Sequence, residues 1–260
     1  MTKIIAISGK KQAGKNTSAN HFHGRVLKNM GSIEDFALDQ KGNLHILTKN
    51  SEGTVAWGAF DVTRRDNEFL DYAEVNMWPY VKIYVFADAL KELCTELFDI
   101  PKECVWGTDE QKNTIMPHLL WENMPGNAKR KTKDSIFPVK GAMTAREFMQ
   151  YFGTNIMRQM YGDIWAKHAI KRILREGSQL AVIADVRFPN EVQTVLDAGG
   201  EVIRLTRSPY NDQHHSEIAL DPDHFDQSKF SYVIDNGAEN YDIADLCTDL
   251  DRVYREIMAK

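Results

Sequence analysis

Residues 9–17, GKKQAGKNT, place two glycines and three lysines in nine positions. Gly9, four residues, Gly14 and Lys15 have the spacing of a phosphate-binding loop, if a strand precedes and a helix follows. Glycine lets bare backbone approach an anion closely, and a helix start supplies unpaired N–H groups with a partial positive charge. Lys15 adds a full charge. Gly9, Lys10, Gln12, Ala13, Gly14, Lys15, Asn16 and Thr17 thus form a candidate cradle for a triphosphate. The hydroxyl residue usual after the lysine is replaced by Asn16. Either its amide oxygen faces Mg²⁺, directly or through water, or the metal is held mainly by substrate oxygens and waters. Thr17 then suits the α phosphate.

Two later points carry matching chemistry. Asp185 follows the apolar run LAVIA, residues 180–184. A carboxylate at the carboxyl end of a strand can orient Mg²⁺ or its waters, and it can equally cap the next helix. Arg187 lies two residues on, and Arg207 follows another apolar run, residues 201–206. Phosphoryl transfer asks a protein mostly to position and neutralise, so Lys15, Asp185, Arg187 and Arg207 are the candidate catalytic groups.

These groups need strands and helices to bring them together. Residues 3–8, 81–87, 180–184, 201–206 and 232–234 are short apolar runs that predict strands. Helical spacing follows over Asn16–Lys28, over 88–98 with Asp88 as cap, and from Thr144, whose partner Glu147 completes a capping box. Further helices are predicted over Asp163–Glu176, between the third and fourth strands, and in a tail carrying Ile243, Leu246, Leu250 and Val253. Strands alternating with helices predict an α/β fold with a mostly parallel five-stranded sheet and helices on both faces. The expectation is a single domain over residues 1–260 with insertions at about 32–80 and 101–140. The first insertion carries a hairpin signal at Lys41-Gly42-Asn43, and residues 61–80 have no decisive period. The second reads as an irregular excursion, with the basic run Lys129–Lys133 as a solvated loop.

Composition excludes several classes. A formal charge of -5 over 260 residues gives no basic field for a nucleic acid polymer. Three widely spaced cysteines fit neither a disulfide framework nor a paired metal site, and the scattered histidines do not suggest zinc. No run has the length of a membrane span, so a cytoplasmic protein without a membrane partner is expected.

The chain resembles the bacteriophage-type deoxynucleoside monophosphate kinases of the P-loop nucleoside monophosphate kinase group. The resemblance runs through GKKQAGKNT, FADALK, MTAREFMQYFGTNIMR, IADVRFPNE, HHSE and VIDNG. In that family Asp followed by Thr often comes after the loop lysine, so Asn16-Thr17 is a mild departure. The resemblance implies a P-loop α/β core, ATP and Mg²⁺ as cofactors, and transfer of the γ phosphoryl group to a deoxynucleoside 5′-monophosphate. It makes a homodimer, and a host cytoplasm for a phage-encoded chain, reasonable expectations. It implies that Asn236 and Gly237 form an adenine-side loop, alongside their reading as an ordinary turn, and that the segment with Glu217 covers the donor phosphates.

For the acceptor, Asp88 and Lys91 leave the second strand near the crevice. Arg146, Gln150 and Arg158, spaced by four and eight, share one face if their helix is continuous. Two guanidiniums could fork onto a monophosphate, and Gln150 could read a base edge. Trp165 is a stacking candidate or a core residue, while Phe148, Tyr151 and Phe152 read as core. The rival readings are another small-molecule P-loop kinase, such as a dephospho-coenzyme A kinase, and a nucleotide-dependent switch.

Overall fold

The computed structural model describes residues 2–49, 53–126, 138–210 and 215–260; the basic run 129–133 and His214 lie outside these. The elements in chain order begin β1 (Lys3–Ser8), α1 (Lys15–Asn29), β2 (Asp35–Leu38), β3 (Leu44–Lys49), β4 (Val55–Ala59), α2 (Asn67–Asn76) and β5 (Val81–Tyr84). Next come α3 (Asp88–Phe98), α4 (Lys102–Trp106), α5 (Asp109–Lys112), β6 (Ile115–Leu120), β7 (Ala142–Thr144), α6 (Ala145–Gln150) and α7 (Arg158–Met160). The last are α8 (Ile164–Glu176), β8 (Leu180–Val186), α9 (Pro189–Asp197), β9 (Glu201–Leu205), α10 (His215–Ile218), β10 (Tyr232–Ile234) and α11 (Ile243–Ala259). The chain divides into two compact units, residues 1–86 with 166–260, and residues 87–165.

In the first unit five strands form one sheet in the order β10-β9-β1-β8-β5, every neighbouring pair parallel. Such strands are covered on both faces and read as continuous apolar runs. Successive side chains of β1 point to opposite faces. Ile5 and Ile7 join Phe22 and Val26 of α1 and Leu250 and Val253 of α11 in one core. Ile4, on the other face, meets Gly200 and Val195 at the end of α9. The expected α/β sheet with helices around it is therefore present. The parallel order also sets all five carboxyl ends along one edge, where open α/β sheets bind ligands.

The first insertion is more ordered than its sequence suggests. The hairpin at Lys41-Gly42-Asn43 joins β2 and β3, and β4 adds a third antiparallel strand. Residues 61–80, without a decisive period, contain α2, capped by the Asp66 carboxylate on the Phe69 N–H. Its Phe69 and Ala73 are buried in the main core.

The second unit has its own core of Cys94, Val105, Met116, Trp121, Met143 and Phe148 among others. Phe148, Tyr151 and Phe152 pack there as expected. The second insertion is not simply irregular: it holds α4, α5 and β6, and β6 pairs antiparallel with β7. The Thr144–Glu147 capping box starts α6 as predicted. Helical backbone does continue past Gly153, but residues Tyr151–Met157 are π-helical. The wider π turns carry Arg158 out of the eight-residue register that a continuous α-helix would keep with Gln150. Asp88 is the first residue of α3 and does not cap it.

Candidate active site

The loop after β1 has the backbone of an anion cradle. Gly14 sits at φ 104°, a conformation that favours glycine, and turns the chain into α1. The N-cap residue, Gly14, has no side chain to cap this helix start, whose first N–H groups suit an anion. Ala13 N–H closes the loop onto Lys10 O at 3.1 Å. The Lys15 ammonium donates to Gly9 O at 2.6 Å and to Lys10 O at 2.8 Å. Burial, and then the charge of Arg187, holds its pKa down at about 8.

Three strand ends meet beneath the loop. Asn236 is buried after β10, donates to Ala13 O at 2.7 Å, and accepts from Arg207 N–H at 2.9 Å. Its amide is therefore occupied in fixing the loop. Gly237 lies against the Arg207 backbone, where an added Cβ would stand 3.4 Å from Cα. Tyr241, Asp242, Ile243 and Leu246 continue the wall beyond them.

The carboxyl end of β8 supplies Asp185 and Arg187. Asp185 Oδ1 accepts from Phe86 N–H at 2.9 Å. It does not cap α9, whose N-cap is Phe188, followed by Pro189 at the first helical position. Glu191 of α9 accepts from the backbone N–H groups of Arg187 and Phe188 at 2.8 and 3.1 Å, fixing the turn. The Arg187 guanidinium pairs with Glu217 Oε1, while Glu217 Oε2 accepts from Lys11 N–H at 2.6 Å. Glu217 is thus a buried tie between loop and arginine, with its side chain only 5% exposed.

Sequence reasoning missed a second ionic group. Arg204, inside β9, donates to Ser8 Oγ at 3.1 Å and pairs with Asp221 at 3.2 Å. Asp221 also pairs with Lys10 at 2.8 Å. The visible signal was an arginine in the middle of the apolar run EVIRL, which burial tolerates only with a partner.

A cleft of about 560 Å³ is lined by Lys11 to Thr17, Asp185, Arg187, Arg207 and Asn236. Gln40 and Lys41 of the β2–β3 turn line it too, and nothing in the loop motif announced them. Among the described residues no group of three His, Cys, Asp or Glu could hold a metal by itself. Asp185 and Asn16 share the cleft, a donor set that fits Mg²⁺ drawing most of its ligands from phosphate and water.

The candidate acceptor residues lie on or beside helices of the second unit. Arg146 pairs with Asp109 at 2.6 Å and donates to Asn113 Oδ1 at 3.1 Å. Gln150 is exposed at the end of α6, and Asp88 and Lys91 are half-buried on α3. Trp165 is buried, its indole N–H on Gly153 O at 3.2 Å, a carbonyl within the π-helical stretch.

Residues 3–239 match the model of the family described as deoxynucleotide monophosphate kinase. A protein of Acanthamoeba polyphaga mimivirus named "Putative deoxynucleotide monophosphate kinase" is 31% identical over 149 residues. That match covers 52% of this chain and 66% of the viral protein, just short of two thirds of its length. The chain belongs to the deoxynucleotide monophosphate kinase family, a family of phosphotransferases.

Proposed function

We propose that this protein transfers the γ phosphoryl group of ATP to a deoxynucleoside 5′-monophosphate by direct in-line displacement. The observation that carries the reading is one cleft at the carboxyl edge of the sheet. It joins an uncapped helix start, Lys15, Arg187, Arg207 and Asp185, in a chain of this family. ATP binds with its phosphates on residues 9–17 and its base toward Tyr241, Ile243 and Leu246. An oxygen of the acceptor monophosphate forms the new bond to the γ phosphorus as the bond to the β–γ bridging oxygen breaks, leaving ADP. The nucleophile is already anionic, so no strong base is required, and bringing two anions together is the main difficulty. Lys15, Arg187 and Arg207 reduce that repulsion and neutralise charge on the moving group. Asn16 and Asp185 would hold Mg²⁺, directly or through water. The ion, when bound, would supply charge neutralisation at the phosphates.

The acceptor is assigned to Asp88, Lys91, Arg146, Gln150 and Arg158. For Arg146 to grip a monophosphate, the phosphate replaces Asp109 as its anionic partner. Trp165 acts by packing behind the π-helical stretch.

A coupled ADP-release assay across deoxynucleoside and ribonucleoside monophosphates tests this. ADP formation should require a deoxynucleoside monophosphate, and Lys15→Met should lower turnover by roughly 10²-fold or more while keeping the fold. ATP hydrolysis indifferent to every acceptor would overturn the reading.

A further inference from the structure

We propose that Lys41, at the tip of the inserted β2–β3 hairpin, is an additional phosphate ligand of the nucleotide held on residues 9–17. This rests on the proposed function and extends the site to a segment outside the loop motif.

Three observations converge. The first is that the hairpin tip is preset. Asp39 Oδ1 accepts from the backbone N–H groups of Lys41 and Asn43 at 2.8 and 2.9 Å, and Oδ2 from the Asn43 amide at 2.8 Å. Gly42 N–H returns to Asp39 O at 2.9 Å. A turn held this way presents the Lys41 side chain without ordering the backbone on binding.

The second is that the tip is seated on the phosphate-binding helix itself. The Asn20 amide donates to Gly42 O at 2.9 Å. Gly42, at φ +80°, lies so close to Thr17 that an added Cβ would stand 2.0 Å from its hydroxyl oxygen. Thr17 is on the first turn of α1, so the neighbouring lysine is carried to the helix end where phosphates bind.

The third is charge. Lys41 lines the cleft, is exposed, and has no carboxylate partner among the described residues. Arg187 of the same cleft is paired with Glu217, whereas Lys41, like the exposed Lys11 and Arg207, has no ion pair among the described residues. An unpaired ammonium on a fixed turn at the mouth of an anion cleft has a phosphate oxygen as its natural partner. Because its seat is Thr17, the contact falls on phosphates that ATP and ADP share.

The test is equilibrium titration of the full chain with ATP, ADP and adenosine, beside Lys41→Ala, Lys41→Glu, Lys41→Arg and Lys15→Met. Lys41→Ala should weaken ATP and ADP alike, by roughly 5- to 10-fold at low ionic strength and less at high salt. Lys41→Glu should weaken them further, Lys41→Arg should restore most of the affinity, and adenosine binding should not change. Unfolding midpoints without nucleotide should match across the Lys41 variants, because the side chain is exposed. Wild-type affinity for ATP in Lys41→Ala, with Lys15→Met impaired, overturns this inference alone. Equal weakening of adenosine, or no rescue by arginine, also overturns it. A wild-type chain that binds no ATP overturns the underlying reading as well.

Discussion

The Asn236 side chain joins Ala13 and Arg207, donating to the carbonyl of one at 2.7 Å and accepting from the N–H of the other at 2.9 Å. One buried amide thereby ties the loop after β1 to the segment that follows β9. Asn236→Ala leaves both backbone groups without this partner and should cost roughly 2–4 kcal/mol. It should also raise the dissociation constant for ATP, because the loop loses its floor. Asn236→Asp should be worse for the loop, since a carboxylate oxygen then faces the Ala13 carbonyl. Urea unfolding and ATP titration of the two variants measure this, and wild-type stability in Asn236→Ala would disprove the tie.

Lys15 gives the site a pH dependence. Burial, then Arg187, holds its pKa at about 8, below the ordinary 10.5. Below pH 8 the ammonium is charged in the free protein; above it the proton is lost and phosphate is held less firmly. The kcat/KM for ATP should therefore fall on an alkaline limb near pH 8. Bound phosphates favour the charged form, so kcat should fall only at higher pH. Folding has the opposite sign: the unfolded chain binds more protons between pH 8 and 10.5, so this group's contribution to stability rises with pH across that window. Lys15→Met should lack the alkaline limb in whatever activity remains. An unchanged limb in that variant would assign the titration to another group.

Glu217 acts from behind the cleft. Its buried carboxylate bridges Lys11 N–H and the Arg187 guanidinium. Glu217→Gln keeps an acceptor for Lys11 N–H but loses the charge that orients Arg187. It should lower kcat by roughly 10-fold while leaving the KM for ATP within about 3-fold, in the range for loss of an indirectly acting group. Glu217→Ala should lose both and affect both constants. Steady-state kinetics of the pair decide this, and equal effects from Gln and Ala would mean that the charge is irrelevant.

What the sequence made legible was local. The strand–loop–helix with Gly14 and Lys15, Asp185 at the end of an apolar run, and the Thr144–Glu147 box each lie within a few residues, so spacing alone reveals them. Glu217 meets Lys11 across 206 positions, and Asn236 meets Ala13 across 223. Such partners are set by strand order, which no local period encodes. Arg204 was visible as an oddity in β9, but its partners Ser8 and Asp221 were not. The hairpin at Lys41-Gly42-Asn43 was legible from turn chemistry, whereas its seat on Thr17 depends on packing against α1. The π-helical stretch after Gln150 escaped for a related reason. Trp165 completes it by bonding the Gly153 carbonyl from twelve residues away.

His23 links α1 to acid stability. It is buried on α1 beside Phe60 of the first insertion, with ring centroids 6.0 Å apart. Its Nδ1 has no hydrogen-bond partner among the described residues, and burial pushes the imidazole down to about 4 from the ordinary 6.5. The neutral ring fits this apolar setting and the charged ring does not. Between pH 6.5 and 4 the unfolded chain therefore binds the extra proton, and stability is lost as pH falls through that window. The loss between pH 7 and 5 should be about 2 kcal/mol from this residue. His23→Leu keeps similar volume without a titrating group, so its unfolding free energy should fall less than the wild type's over the same interval. Denaturant melts of both proteins at pH 7 and 5 measure the difference, and identical pH slopes would show that His23 titrates normally. Because α1 also carries Lys15, Thr17 and Asn20, the acid-induced loss should appear as weaker ATP binding before global unfolding, as local opening precedes global opening.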